Sequence, residues 1–350
     1  MEKQDPQILK GKSLKELEQF FAELGEPSYR ARQAFRRINK HLARSPDEFT
    51  EFSLPLRAQL NSMQCMPELP VINRDRSADG TEKFVLDIGA TRRGEARKVE
   101  AVWIVSEKRR TVCISSQVGC TLNCTFCATG TLPFLGNLQT WQIVEQVYQL
   151  IRERHEPVTN VVFMGMGEPF HNYDNVIRAA HILHHPDGLN LGARHITIST
   201  AGVIPSIERF IKEKEPFNLA ISLNHPDVKQ RSEIMDINKK FDLDQLLKVA
   251  RRFTRELDRR ITFEYVLIPD VNMHRDHLQK LIKIGKSVRC KINLIPLNTR
   301  LQGWRRPGEQ EVAEFQSHLL DANLSVFNRG SPGLDINGAC GMLALAEHNR

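Results

Sequence analysis

The 350-residue sequence predicts an α/β protein: a partial (βα)6 barrel preceded by an N-terminal helical accessory domain. Three observations carry this expectation. From residue 111 onward six apolar, β-rich runs recur: TVCISS, NVVFMGM, HITIST, NLAISL, ITFEYVLI and INLIPL. Helical patterns such as TWQIVEQVYQLIRER and NVIRAAHILHH lie between several of them, and strand–helix alternation argues for a parallel sheet, open or closed. Polar clusters follow the strands at one edge: CTLNCTFC after the first, MGMGEP after the second, STAG after the third, SLN after the fourth and PLN after the sixth. The C-terminal ends of the strands are where such folds place their chemistry.

The elements follow in order. In SLKELEQFFAELG, Leu14, Leu17, Phe20, Phe21 and Leu24 recur at helical spacing, and Ser13 with Glu16 three places on forms a capping signature. The next stretch, SYRARQAFRRINKHLAR, carries Arg30, Arg32, Arg36, Arg37, Lys40 and Arg44 with no acid among them. Continued as one helix, it would align Arg32, Arg36, Lys40 and Arg44 on one face. That face is either solvated surface or a phosphate-contacting helix. Residues 1–62 are thus expected as a helical RNA-binding domain. Residues 63–105 read as a linker followed by short strands, with turns at Asp79-Gly80 and Gly89 and strand patterns in KFVLDIG and in KVEAVWIV, which contains Glu100. Residues 106–350 form the barrel and its C-terminal tail.

The totals exclude several classes. Hydrophobic content of 41% with 26% charged residues is that of a soluble globular chain, not a disordered or fibrous one. No apolar run approaches the ~18–20 residues of a membrane span. MEKQDPQILKGKSLKELEQF is charged from residue 2 and has no signal-peptide core, which predicts a cytoplasmic protein. Seven cysteines in a reducing compartment point to metal or redox chemistry rather than structural disulfides. A net charge of +7 favours polyanionic partners such as RNA or DNA.

The loop CTLNCTFCATG places Cys120, Cys124 and Cys127 in a C-x3-C-x2-C array. A structural zinc site needs a fourth ligand, and no histidine occurs between Trp103 and Arg154. A cubane [4Fe–4S] cluster is normally held by four thiolates, so three would leave one iron open to a chelating small molecule. That is the arrangement of radical S-adenosylmethionine (SAM) enzymes, which this spacing marks. Zinc and ordinary core cysteines remain the alternatives. In MGMGEP, Gly165 and Gly167 permit close backbone approach and Glu168 brings a carboxylate to a strand end. Beside a cluster this suits a cofactor contact; alone it would be a glycine turn.

Taken together, CISSQVGCTLNCTFCATG, NVVFMGMGEP, NLGARHITISTAGV, NLAISL, ITFEYVLI, NLIP and the tail LDINGACG resemble the RlmN/Cfr family of adenosine methyltransferases, over about residues 75 to 345. The resemblance implies that Cys120, Cys124 and Cys127 hold the cluster. It implies that Gly167, Glu168, Ser199, Ser222, Leu223, Asn224 and Asn298 contact SAM. Cys340 would be methylated by one SAM, and a second, cleaved at the cluster, would supply the radical that activates that methyl for addition to an RNA adenine. Cys113 would attack the Cys340 sulfur as the methylated base leaves and a disulfide forms, with Glu100 as proton acceptor. The family acts on large-subunit ribosomal RNA and in some cases transfer RNA, at carbon 2 or, in the Cfr branch, carbon 8. A flavodoxin-like electron donor and a monomeric state are further expectations. The sequence departs from the usual pattern at Asn224, Asp236, Gly338 and Met342, none of them a proposed catalytic residue.

The need for a sulfur carrier also follows from chemistry. Adenine carbon 2 is electron-poor and has no acidic proton, so polar displacement of a sulfonium methyl fails there. A carrier sulfur makes an added methylene releasable by thiol–disulfide exchange. That requires two cysteines beyond the cluster loop, and Cys113 and Cys340 are available. For each alone, a buried core thiol is the plainer reading. Cys65 and Cys290 carry no such context. Gly338 and Gly341 suggest a flexible tail. Two other readings stand beside this one: a different radical SAM enzyme in which Cys340 is incidental, and an RNA-binding protein whose cluster or zinc is only structural.

Overall fold

In the computed structural model, which describes residues 7–344, the first helix begins at its expected cap. The Ser13 amide donates to the Glu16 carboxylate at 2.8 Å and the Glu16 amide to Ser13 Oγ at 3.3 Å. The charged N-terminal MEKQDP and the tail beyond residue 344 lie outside the described residues. Helices α1 (Leu14–Glu23), α2 (Tyr29–Asn39) and α3 (Leu54–Ser62) bury Leu17, Phe21, Phe35, Ile38 and Leu60. This bundle is tied to the rest of the chain by a buried ion pair, Lys10 Nζ to Glu145 at 3.0 Å, and by Tyr148 Oη donating to Asn39 at 2.7 Å.

The basic ladder is shorter than expected. Helix α2 stops at Asn39, so Lys40 caps it and Arg44 lies beyond. Acids absent from the local sequence arrive from elsewhere: Arg32 and Arg36 share Asp187 at 2.7 and 4.0 Å, and Arg37 binds Glu51 at 2.7 Å. Arg32 and Arg36 remain about half exposed or more, so these pairs neutralise the face only in part.

The strands are β1 (Val71–Arg76), β2 (Glu82–Ala90), β3 (Ala96–Ser106), β4 (Arg109–Cys113), β5 (Gln117–Val118), β6 (Gly136–Asn137), β7 (Asn160–Phe163), β8 (Ile196–Thr200), β9 (Asn218–Ser222), β10 (Ile261–Leu267), β11 (Cys290–Pro296) and β12 (Val326–Asn328). Ten of them form one sheet in the order β1-β2-β3-β4-β7-β8-β9-β10-β11-β12, and β5 pairs with β6 separately. From β4 to β12 every pairing is parallel, and β1 to β4 pair antiparallel. The expected linker with short strands at 63–105 is therefore an antiparallel arm of the main sheet, with β3 eleven residues long. All six expected barrel strands are present. A seventh parallel strand, β12, escaped notice because three residues show no periodicity.

Crossover helices cover the sheet: α4 (Thr140–Arg154), α5 (Tyr173–His184), α6 (Ile204–Lys212), α7 (Val228–Ile234), α8 (Ile237–Lys240), α9 (Leu243–Glu256), α10 (Pro269–Asn272), α11 (Arg275–Ser287) and α12 (Glu309–Asp321). Strand residues such as Val161, Ile198, Leu219, Phe263 and Ile292 are buried against them. Parallel strands covered in this way place all their C-terminal ends at one edge. No helix among the described residues is long and apolar enough to cross a membrane.

Candidate active site at the strand ends

A cavity open on one side lies at that edge. Cys120, Cys124 and Cys127 reach it from the loop after β4, Gly167 and Glu168 from the loop after β7, and Ser199 from β8. Ser222 and Asn224 come from the end of β9, Asn298 from beyond β11, and Cys340 from the tail. Ten sequence-predicted residues thus line one cavity. Leu223 does not; it is fully buried in the core, just past the end of β9 and between two lining residues.

The three-cysteine loop is shaped by its own backbone. Cys127 N–H donates to Cys124 O, and Gly130 N–H to Cys127 O, both at 3.0 Å. Gly119 sits at φ +77°, where a Cβ would stand 2.1 Å from Pro133 O, so only glycine fits the turn. Burial pushes the Cys120 thiol up to about 12, and the Cys124 and Cys127 thiols upward as well. Enclosed thiols of this kind ionise only against a positive group. Among the described residues no three His, Cys, Asp or Glu side chains close on a point that one ion could share, and no histidine lines the cavity. Three thiols without a fourth protein donor beside them among the described residues are one ligand short of a closed zinc site. They fit a larger, thiolate-bound iron–sulfur group with one corner lacking a protein ligand.

Glu168 faces this loop across the cavity. Its carboxylate accepts from Phe170 N–H at 2.9 Å and Ala201 N–H at 2.7 Å, and its own N–H donates to Gln117 Oε1 at 2.9 Å. Burial pushes its pKa up to about 7 against these bonds. Gly167 supports the arrangement at φ +98°, where a Cβ would lie 2.5 Å from Gln117 Cβ. Gly167→Ala is expected to displace Gln117 and release the Glu168 backbone, costing about 1–3 kcal/mol. Urea unfolding and equilibrium dialysis of SAM should show lost stability and weakened binding together.

Asn224, the departure from a common histidine, adopts φ +53°, a region in which asparagine is enriched. It is buried, and its Oδ1 accepts from Val266 N–H at 3.0 Å. The substitution suits the backbone bend at the end of β9.

The tail is docked rather than loose. Ala128 N–H donates to Gly341 O at 2.7 Å and Thr129 Oγ1 to Leu343 O at 2.6 Å, so the cluster loop and the tail share two hydrogen bonds. Asn298 Nδ2 donates to Cys340 O at 3.0 Å. Both glycines lie within hydrogen-bonded structure in this arrangement. Gly341 serves a turn at φ +84°, and Gly338 N–H is bound to Gly333 O at 2.8 Å.

Cys113 lies behind the wall at the end of β4, with Arg329 acting on both it and Cys340. Burial pushes Cys113 up to about 12, with Cys340 adding and Arg329 opposing. Cys340 is exposed as a residue, but the protein atoms packed around its thiol push it up to about 11, again opposed by Arg329. Arg329, just past β12, lies 3.7 Å from the Glu264 carboxylate and 2.8 Å from Met164 Sδ. Burial pulls its guanidinium down, but Glu264 and the two thiols outweigh that and hold it above the usual value. Glu264 and Arg329 were missed from sequence, although a lone glutamate inside the apolar ITFEYVLI was a visible anomaly.

Glu100 is not on the cavity wall. It is buried on β3, its carboxylate 3.1 Å from Lys83 Nζ, and its carbonyl accepts from Ser115 Oγ at 2.6 Å.

Comparison with known proteins identifies the family and the fold. Residues 114–282 match the radical SAM superfamily, and residues 8–66 match the ribosomal RNA large subunit methyltransferase N-terminal domain. The "Probable dual-specificity RNA methyltransferase RlmN" of Leptospira interrogans serogroup Icterohaemorrhagiae serovar copenhageni is 54% identical over 338 residues, covering 96% of this chain and 95% of that protein. The "Dual-specificity RNA methyltransferase RlmN" of Geobacter sulfurreducens is 43% identical, covering 96% of this chain and 91% of that one. A crystal structure of a radical SAM methyltransferase from Sphaerobacter thermophilus superposes with a TM-score of 0.89 at 37% identity, covering 96% of this chain and 98% of its own.

Proposed function

The chain belongs to the RlmN family of radical SAM RNA methyltransferases, and from that premise we propose that it methylates carbon 2 of an adenosine in RNA through a carrier sulfur on Cys340. The observation that supports the carrier role is that Cys340 and Arg329 line the same cavity as Cys120, Cys124 and Cys127, with Cys113 behind them under the influence of both.

Cys120, Cys124 and Cys127 would hold a [4Fe–4S] cluster, and Gly167, Glu168, Ser199, Ser222, Asn224 and Asn298 would hold SAM, with Leu223 contributing backbone only. When bound, the two groups supply one-electron cleavage of a sulfonium, which no side chain can perform. Glu168, buried and oriented by two amide N–H groups, is suited to accept the cofactor's ammonium, whose charge would draw its pKa back down. Cys340 carries the methyl group. Cys113, as a thiolate, would attack the Cys340 sulfur once the carbon is on the base: the disulfide forms, the sulfur–carbon bond breaks with its electron pair left on the methylene, and that carbon takes a proton to become the methyl group, while Glu100, beside the Lys83 ammonium, would take the proton displaced from the base carbon. The basic N-terminal face supplies sequence-independent affinity for RNA phosphates. Large-subunit ribosomal RNA and transfer RNA are the proposed substrates, and the seven unpaired thiols suit the reducing cytoplasm.

The test is mass mapping of ribosomal and transfer RNA after incubation with anaerobically iron-loaded protein, reductant and SAM. The expected product is 2-methyladenosine, with two SAM consumed per methyl group. Finding 8-methyladenosine would move the chain to the carbon-8 reaction, and finding no methyladenosine would overturn the reading.

A further inference from the structure

Arg231, on α7, has no exposed surface. Its guanidinium donates four hydrogen bonds: Nε to Leu223 O at 2.9 Å, Nη1 to Asn238 Oδ1 at 2.7 Å, and Nη2 to Ala201 O at 2.8 Å and Ser222 O at 2.9 Å. Every acceptor is neutral. The other enclosed cations have acids beside them: Lys10 has Glu145, Lys83 has Glu100 and Arg329 has Glu264. A buried charge without a counter-charge is among the costliest features a fold can carry. Its hydrogen bonds engage four of its five N–H donors, and among the described residues no carboxylate stands within ion-pair distance of it.

The placement of Arg231 identifies the missing anion. Ala201 and Ser222, which it binds, line the cavity. The carbonyl of Ile234, at the end of α7, accepts from Thr125 N–H at 3.1 Å, so the helix abuts the three-cysteine loop between Cys124 and Cys127. Burial pulls the Arg231 guanidinium down to about 10, and the Cys124 thiol pushes it back up. The same pair acts in reverse on Cys124.

We propose that Arg231 is the counter-cation of the iron–sulfur site, a positioning residue whose charge favours the thiolate-bound group, its retention and its reduced state. This deepens the functional reading and rests on it for the identity of the bound group. A positive charge near a redox centre favours the state with one more electron, so it raises the reduction potential. The electron needed to cleave SAM then arrives at a potential set partly by a residue that touches no iron.

The experiment uses full-length protein, reconstituted anaerobically with iron and sulfide, as wild type, Arg231→Gln and Arg231→Lys. Iron and sulfide content of the wild type is read first; a protein that holds neither defeats the functional reading itself. Redox titration followed by electron paramagnetic resonance should show Arg231→Gln about tenfold harder to reduce at a given potential, about 59 mV for one electron. A chelator should strip its iron several-fold faster. Arg231→Lys, which keeps the charge with fewer hydrogen bonds, should hold the potential close to wild type. Unchanged potential and iron loss in Arg231→Gln, with only the stability of the metal-free protein reduced, would make Arg231 a staple of strand ends and overturn the proposal. Should Arg231→Gln fail to fold, Asn238→Asp provides the second arm, because it places a carboxylate on Nη1 and neutralises the cation where it stands. It should lower the potential in the same direction, and no change there also overturns the proposal.

Discussion

Cys340→Ala protein is expected to lose multiple-turnover RNA methylation down to background while keeping its fold and its cluster. The fold should survive because the tail is fastened through backbone groups of Cys340, Gly341 and Leu343, none of which uses the Cys340 sulfur. The cluster should survive because its three proposed ligands lie on another segment. Transfer of label from methyl-labelled SAM to RNA measures the loss, and iron content with thermal unfolding measures what remains. Since an electron-poor aromatic carbon cannot take a methyl by polar displacement, no neighbouring residue can substitute for the carrier. Undiminished multiple turnover by this variant would mean that Cys340 is incidental and that the chemistry takes another route.

Cys113→Ala is expected to fail at a different point. The carrier would still load and add to the base, but the sulfur–carbon bond would have no attacking thiol to release it. A covalent protein–RNA adduct should therefore accumulate toward one per enzyme, visible on denaturing gels and by intact mass. The trimmed side chain lies at the end of β4, in the core behind the cavity, so the cost in stability should be a small one of about 1 kcal/mol. Free methylated RNA formed at the wild-type rate, without adduct, would assign release to another group. The two variants together separate loading from release.

The parts of the fold legible in the sequence were those with a repeating signal. Six strands, the helices between them and the capping box at Ser13 all follow from periodicity or from a local hydrogen-bond pattern. The three-cysteine loop stood out by its spacing. What escaped had no such signal. Strand β12 is too short to show a period, yet it delivers Arg329 to the thiols. The acids that face Arg32 and Arg37 come from Asp187 and Glu51, which only the folded chain brings close. Arg231 looks like any surface arginine in VKQRSEI until its helix is seen turned inward. Ten of the residues expected from the family resemblance line the cavity; Cys113 lies behind it at the end of β4, Glu100 is buried on β3 beside Lys83, and Leu223 is buried in the core just past β9.

The two hydrogen bonds between the tail and the cluster loop limit how the carrier can travel. With Gly341 O fixed to Ala128 and Leu343 O to Thr129, the segment around Cys340 is pinned on its C-terminal side, and Asn298 grips the residue's own carbonyl. On the proposed reading the sulfur serves two partners in succession from a backbone held by these hydrogen bonds; a stroke that kept them would be limited to rotation of the Cys340 side chain, and the substrates would come to the sulfur.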